Sequence, residues 1–270
     1  MRFKITFSRT GKQRMLPMDY QYFTSAWIYK VIGNADREFS QFLHSVGYSD
    51  GNKRFKLFNY SPLEFGNYVT WKEKSLFEIN TETLKMLVSF YMPEAAERFI
   101  IGLFKNQKVY IGDKFNGLDL AVTGVERLSD PDLSRTIRYR TLSPVVISFH
   151  NEGDRYTRYL SPVEKGYSDL VRSNLIQRWK TVPGSKQIEE DISFNMDPGC
   201  IPKSKLVTIK PYTEEESKVR GFLFKFSLSA PEVIHHLILS SGFGEKNSMG
   251  FGWVEIISNL TAFEKPVRVK

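Results

Sequence analysis

Apolar and polar residues alternate with period two over Arg2-Phe-Lys-Ile-Thr-Phe-Ser8, the pattern of a strand buried on one face. A loop follows, then a helical stretch from Tyr20 to Gly33. A shorter helix runs from about Asp36 to Ser45, with Phe39, Phe42, Leu43 and Val46 at helical spacing. Alternation returns over Arg54–Tyr60, and Ser75–Asn80 reads as a further strand. Thr81-Glu-Thr-Leu84 is expected to open a helix reaching about Lys105, followed by strands at Val109–Gly112 and Leu118–Val125. The pattern then restarts. Pro144–Phe149 reads as a strand and Pro162 to about Val182 as a helix carrying Leu170, Val171, Leu175, Ile176 and Trp179. Strands are expected over 190–196, 204–211 and 221–228. Ser229-Ala-Pro-Glu232 has the form of a capping box opening a helix to Ser241, and Trp253–Ile257 closes the series. Two successive β-α-β-β-α-β-like sets predict an α+β protein of two tandem ferredoxin-like (RRM-like) domains, each an antiparallel sheet with helices on one face. The pattern is interrupted by Ser-Asp-Pro-Asp within Leu128–Arg135, which sets the boundaries at 1–128 and 129–270.

Composition narrows the class. With 41% hydrophobic and 25% charged residues the chain is ordinary for a globular protein. Its single cysteine, Cys200, excludes an internal disulfide and a Cys-rich metal site. No apolar run reaches the ~20 residues of a membrane span, and the alternating start lacks a signal-peptide core, so a cytoplasmic protein without a membrane partner is expected. The 38 Lys and Arg against 30 Asp and Glu leave a charge of +8, and 14% of residues are aromatic. Cations interleaved with rings suit an unpaired nucleic acid, with phosphates on the first and bases on the second.

Gly242-Phe-Gly-Glu-Lys-Asn-Ser-Met-Gly-Phe-Gly252 places four of the eighteen glycines in one short segment. Glycine tolerates positive φ and close backbone approach, so Gly242, Gly244, Gly250 and Gly252 are candidates for an RNA backbone, with Lys246 among them. A Walker loop and a dinucleotide fingerprint are both excluded, because here the glycines lie between a helix and a following strand. Gly250-Phe-Gly-Trp-Val-Glu-Ile256 approximates the aromatic strand motif of RNA-recognition modules, though without its leading basic residue. Arg155, Arg158, Arg172, Arg178 and Lys180, with Tyr156 and Tyr159 between them, form a basic stretch that suits either a solvated helix face or an RNA surface.

The helix–glycine loop–strand ending resembles the C-terminal signature of the repeat-associated RNA-binding superfamily of CRISPR systems. Leu16-Pro17-x-Asp19-Tyr20-Gln21-Tyr22, Ile28-Tyr29, Phe42-Leu43-His44, Lys56-Leu57-Phe58-Asn59-Tyr60-Ser61 and Arg140-Thr-Leu-Ser-Pro144-Val-Val-Ile147 are similar to the CRISPR repeat-processing endoribonucleases. The resemblance runs the length of the chain and implies a pair of ferredoxin-like domains, the first carrying a Tyr–His–Lys site. His44 matches the family's histidine, and it lies roughly 150° from its helix's apolar stripe, outside the core. Tyr29 matches the tyrosine and shares a face with Tyr22 and Ser25. Lys56 matches the lysine, with Lys53 the alternative. The resemblance further implies cleavage of precursor RNA within the repeat, without metal or cofactor. The RNA 2′-hydroxyl attacks the adjacent phosphorus, leaving a 2′,3′-cyclic phosphate and a 5′-hydroxyl. His44 serves as general base or as general acid, Lys56 stabilises charge on the phosphate oxygens and Tyr29 positions the phosphate. A non-catalytic RNA-binding subunit of the same superfamily is the alternative. Repeat RNA, as precursor and product, is the expected partner; effector-complex subunits and a second copy of the chain are further candidates. His235 and His236 are both expected on the solvated face of their helix.

Overall fold

The computed structural model describes residues 1–51, 53–150, 156–189 and 191–257. The first sheet is built from Arg2–Arg9 (β1), Phe58–Tyr60 (β2), Thr83–Phe90 (β3), Lys108–Gly112 (β4) and Gly117–Leu128 (β5), in the order β4-β5-β1-β3-β2 and antiparallel throughout. β1 alternates along its length between half-exposed residues and the buried Phe3, Ile5, Phe7 and Arg9. Helices Gln21–Ala35 (α1), Arg37–Ser45 (α2) and Pro93–Lys105 (α3) supply Ile28, Val31, Ile32, Leu43, Ala96 and Phe99 to the same core as Ile5, Leu84, Met86 and Val88. The second sheet contains Thr136–Thr141 (β6), Ser193–Met196 (β7), Lys225–Ser229 (β8) and Val254–Ile256 (β9), in the order β7-β8-β6-β9. Helices Tyr167–Lys180 (α4) and Glu232–Ser241 (α5) add Val171, Leu175, Ile234, Leu237 and Ile238 to its core. Both halves have the strand order of a ferredoxin-like fold, as the repeated pattern predicts. Among the described residues no helix is long and apolar enough to cross a membrane.

Several elements differ from the sequence reading. The helix expected from Thr81 is β3 followed by α3, with Pro93 at the start of the helix. Leu84, Met86, Val88 and Phe90 are buried at period two, and β3 pairs with β1 on one side and β2 on the other. A central strand thus overrode a cap-like Thr-Glu-Thr-Leu. The second sheet begins at β6, where Ile137, Tyr139 and Thr141 are buried between outward arginines. Within the expected strand 144–149, only Ser148–Phe149 is extended, paired with Arg158–Tyr159, while Val145 bridges Phe222. The expected strand 221–228 is divided. Ser217–Leu223 pairs with Lys203–Ile209 in a separate hairpin, and Lys225–Ser229 enters the sheet as β8.

His235 is also corrected. It is 0% exposed, with Nδ1 2.8 Å from the Tyr139 hydroxyl and Nε2 3.2 Å from the Arg135 carbonyl, whereas Val233 is exposed. α5 is buried on most of its circumference, so a polar residue on it needs internal partners. Burial lowers the His235 pKa and keeps the ring neutral. His236 lies on the open side, against Glu232.

Candidate active site

Three short elements converge near one end of α1. α2 opens on Asp36, whose carboxylate accepts from the Phe39 backbone N–H and pairs with Arg98. It buries Phe39 and Leu43 and leaves His44 exposed in its last turn. The imidazole meets the edge of Tyr29 from α1, with ring centroids 5.1 Å apart and planes at 82°. Phe58 packs on the same phenol at 5.4 Å and 80°. Tyr29 is mostly buried, and loss of solvent pushes its phenol pKa up to about 12, so it stands here as a neutral hydroxyl.

The lysine arrives from the hairpin Tyr48–Asp50 and Lys53–Phe55. The strand expected over Arg54–Tyr60 breaks at Leu57, which takes a left-handed φ of 51°. Leu57 is buried in the second core, and the turn sends Lys56 to the C-terminus of α2. There its ammonium donates to the His44 carbonyl at 2.7 Å, while Arg54 donates to the Ser45 carbonyl at 3.2 Å. These are orphan carbonyls at the negative end of a helix, where cations are favoured. Of the two candidate lysines, Lys56 is the one brought to His44; Lys53 is exposed along the neighbouring cleft. Desolvation, with the nearby Arg54 charge second, lowers the Lys56 pKa to about 8.

Beyond Lys56 a cleft of about 510 Å³ separates this hairpin from the glycine segment. Lys53, Arg54, Lys56, His150 and Lys246 line it. Glu245 is the carboxylate among its described lining residues, and it is occupied by the Ser148 N–H at 3.2 Å and hydroxyl at 2.6 Å.

The same segment joins the two halves. Arg178, fully buried, donates to the carbonyls of Gly242 at 2.6 Å and Gly244 at 3.4 Å and to Asn247 Oδ1 at 2.7 Å. Asn247 Nδ2 in turn donates to the carbonyls of Phe243 and Phe251. From the first half, Asn59 donates to the Phe251 carbonyl at 3.2 Å and Ser25 to the Ser248 carbonyl at 2.7 Å. In the sequence Arg54 adjoins the two candidate lysines, while Asn59 and Ser248 stand inside the family-like motifs with no local signal of these contacts.

Known proteins match along both halves. The model for CRISPR-associated protein Cas6, N-terminal, matches residues 15–118, and that for CRISPR associated protein Cas6, C-terminal, matches residues 128–256. The chain belongs to the Cas6 family. It is 26% identical to the CRISPR-associated endoribonuclease Cas6 of Pyrococcus furiosus, over 98% of this chain and 93% of that one. It is 24% identical to the CRISPR-associated endoribonuclease Cas6 1 of Methanocaldococcus jannaschii, over 97% and 95%. The solved structure of a Cas6-related protein from Pyrococcus furiosus superposes with a TM-score of 0.80, covering 96% of this chain and 99% of that one at 23% identity. An RAMP protein described as binding different RNA substrates gives 0.79 at 21% identity, with 96% and 100% covered.

Within this Cas6-type fold the expected RNA-contacting residues separate. Gly242, Gly244, Gly250 and Gly252 are buried, and added Cβ atoms would meet Asn59, Val146, Tyr60 and Phe243 respectively. Their close approach is to the protein itself. The buried Arg178 guanidinium is bonded to the loop through its two terminal nitrogens. Lys246 is exposed at the tip. Arg172 and Lys180 lie together along a separate shallow groove on α4, with Arg172 3.6 Å from Asp191. Arg158 is paired with Glu164. Arg155 lies outside the described residues.

Proposed function

We propose that the protein is an endoribonuclease that binds CRISPR repeat RNA in the cleft between its halves and cuts it with Tyr29, His44 and Lys56. The observation that carries this reading is the meeting of those three residues, from three elements, beside a cleft lined by cations. The division at 1–128 and 129–270 puts the trio in the first domain and Lys246 across the cleft in the second. Relatives named as CRISPR-associated endoribonucleases support the activity.

The chemistry follows from the groups present. The RNA 2′-oxygen forms a bond to the adjacent phosphorus, and the bond from phosphorus to the 5′-oxygen breaks. One proton leaves the 2′-hydroxyl and one is delivered to the departing 5′-oxygen, so no metal or cofactor is required. His44, exposed and adjacent to the phenol, exchanges one of these protons. The Lys56 ammonium stabilises the charge growing on the non-bridging oxygens, and Tyr29 offers a neutral hydroxyl to the phosphate. Lys246, with Lys53 and Arg54, holds neighbouring phosphates, which makes affinity fall as salt rises.

The test is cleavage of repeat RNA in excess chelator, beside an RNA carrying a 2′-deoxy at the cut site. Single-site cleavage of the first with a cyclic phosphate product, and binding without cleavage of the second, are expected. Cleavage of the deoxy substrate or loss of activity in chelator rejects the mechanism. Binding with no cleavage of either assigns the chain to the non-catalytic reading.

The Lys56 pKa adds a pH prediction. The protonated ammonium is the useful form, so the single-turnover rate is expected to decline as pH rises through about 8. Arg54→Ala removes a like charge, raises the Lys56 pKa and should move that decline to higher pH. A rate profile with an unmoved alkaline limb would exclude Lys56 as the titrating group.

A further inference from the structure

We propose that the cleft takes an unpaired adenine of the RNA, read at its exocyclic amine by Asn174 of α4 and stacked on the ring of Phe149. The inference rests on the reading above, in which RNA lies in this cleft, and adds a base-reading site to it.

Leu170, Asn174 and Arg178 stand at every fourth position of α4, which puts them on one face of the helix, and all three line the cleft. Asn174 is only 5% exposed, and among the described residues its Oδ1 has no hydrogen-bond partner. Arg178 uses its two terminal nitrogens on the glycine segment and leaves Nε without a partner among the described residues. The two atoms do not pair with each other. Other unpartnered buried atoms, such as Tyr167 Oη and Trp253 Nε1, belong to residues that do not line the cleft. Buried polar groups are nearly always paired, so an acceptor and a donor left open one turn apart on a cleft wall mark a place that a ligand completes.

The surroundings select the ligand. Phe55, Leu57, Phe149 and Leu170 give the cleft apolar lining, which suits a planar base better than a phosphate or a ribose. Phe149 is 40% exposed and so has ring surface open for stacking. Glu245 lines the same cleft, and after accepting twice from Ser148 its carboxylate has acceptor positions left. An exocyclic amine carries two N–H bonds, enough for the Asn174 oxygen and the Glu245 carboxylate. In adenine that amine is flanked by ring nitrogens that accept, which complements Arg178 Nε. Uracil and guanine place a carbonyl where adenine has its amine, and against two acceptors that is unfavourable. Cytosine has the amine but offers a single ring to Phe149.

Binding of the full chain to short single strands tests the proposal without any need of cleavage. Oligoadenylate of about six nucleotides is expected to bind about tenfold tighter than oligouridylate of the same length. Replacing its adenines by purine, which lacks only the amine, should remove most of that margin. Equal affinity for the adenine and purine strands overturns the proposal, as does tighter binding of oligocytidylate. Asn174→Leu should erase the margin while leaving the affinity for oligouridylate, which rests on phosphate contacts, unchanged. Its melting temperature should not fall, because the amide oxygen it removes has no partner inside the protein. A margin that survives this substitution overturns the proposal; should the variant melt early, the wild-type comparison of adenine with purine still decides. Phe149→Ala should weaken the adenine and purine strands alike. A wild type that shows the adenine margin and cleaves no repeat RNA loses the nuclease reading and keeps the adenine site.

Discussion

Replacing His44 with alanine is expected to slow repeat cleavage by about 10²–10⁴-fold while RNA affinity and thermal stability stay close to wild type. The separation follows from where the side chain sits. Phe39 and Leu43 carry the packing of α2, and His44 projects from its exposed side. It meets the edge of the Tyr29 ring, and the Lys56 ammonium binds its backbone carbonyl, a contact that survives the substitution. Removing the imidazole therefore removes a proton-transfer group without opening a cavity or breaking a cap. Single-turnover rates, with affinity measured on the 2′-deoxy substrate and a melting curve, check all three parts. A rate within tenfold of wild type would exclude His44 from proton transfer. A large fall in melting temperature would mean that the residue is structural.

The largest stability effect is expected at the other end of the chain. Gly252 has a φ of 71°, and an added Cβ would lie 1.9 Å from the Phe243 carbonyl oxygen and 2.8 Å from Asn247 Nδ2. The segment is closed at this point, with Phe243 N–H bonded to the Gly252 carbonyl at 2.8 Å and Gly252 N–H to the Pro144 carbonyl at 2.9 Å. Gly252→Ala combines a left-handed alanine with a clash against backbone that cannot yield alone, so a loss of about 2–5 kcal/mol is expected. Gly184→Ala is the control: its φ is 74°, but nothing lies within 4 Å of the added Cβ. It should lose only the conformational part, about 1–2 kcal/mol. Urea unfolding of the two variants separates clash from strain, and equal losses would show that the packing around Gly252 relaxes freely.

Local patterning was legible wherever it reported which side of one element faces a core. β1 alternates as written, α2 leaves His44 off its apolar side, and two similar strand–helix sets produce two sheets of equal strand order. β3 was misread because a run of Leu84, Met86, Leu87, Val88 and Phe90 suits either a buried strand or a helix, and pairing with two neighbours decided it. His235 of α5 departs from its expected place for a related reason, whereas His236 lies on the open side as expected. The polar side of the helix is too narrow to hold both, and the Tyr139 hydroxyl gives His235 a partner inside.

By itself, then, the sequence determined the two-sheet α+β architecture, the excess of cations and the residue types of the candidate site, since these follow from periodicity, composition and short motifs. Tertiary structure alone decided which lysine reaches His44, that Arg178 points inward to hold the glycine segment and that the Ser248 carbonyl accepts from Ser25. Ser25 and Ser248 are 223 positions apart in the chain, and no local periodicity carries information over that span. They are brought together by the docking of the two halves, which buries Leu57 in the second core and sets Asn59 against the Phe251 carbonyl.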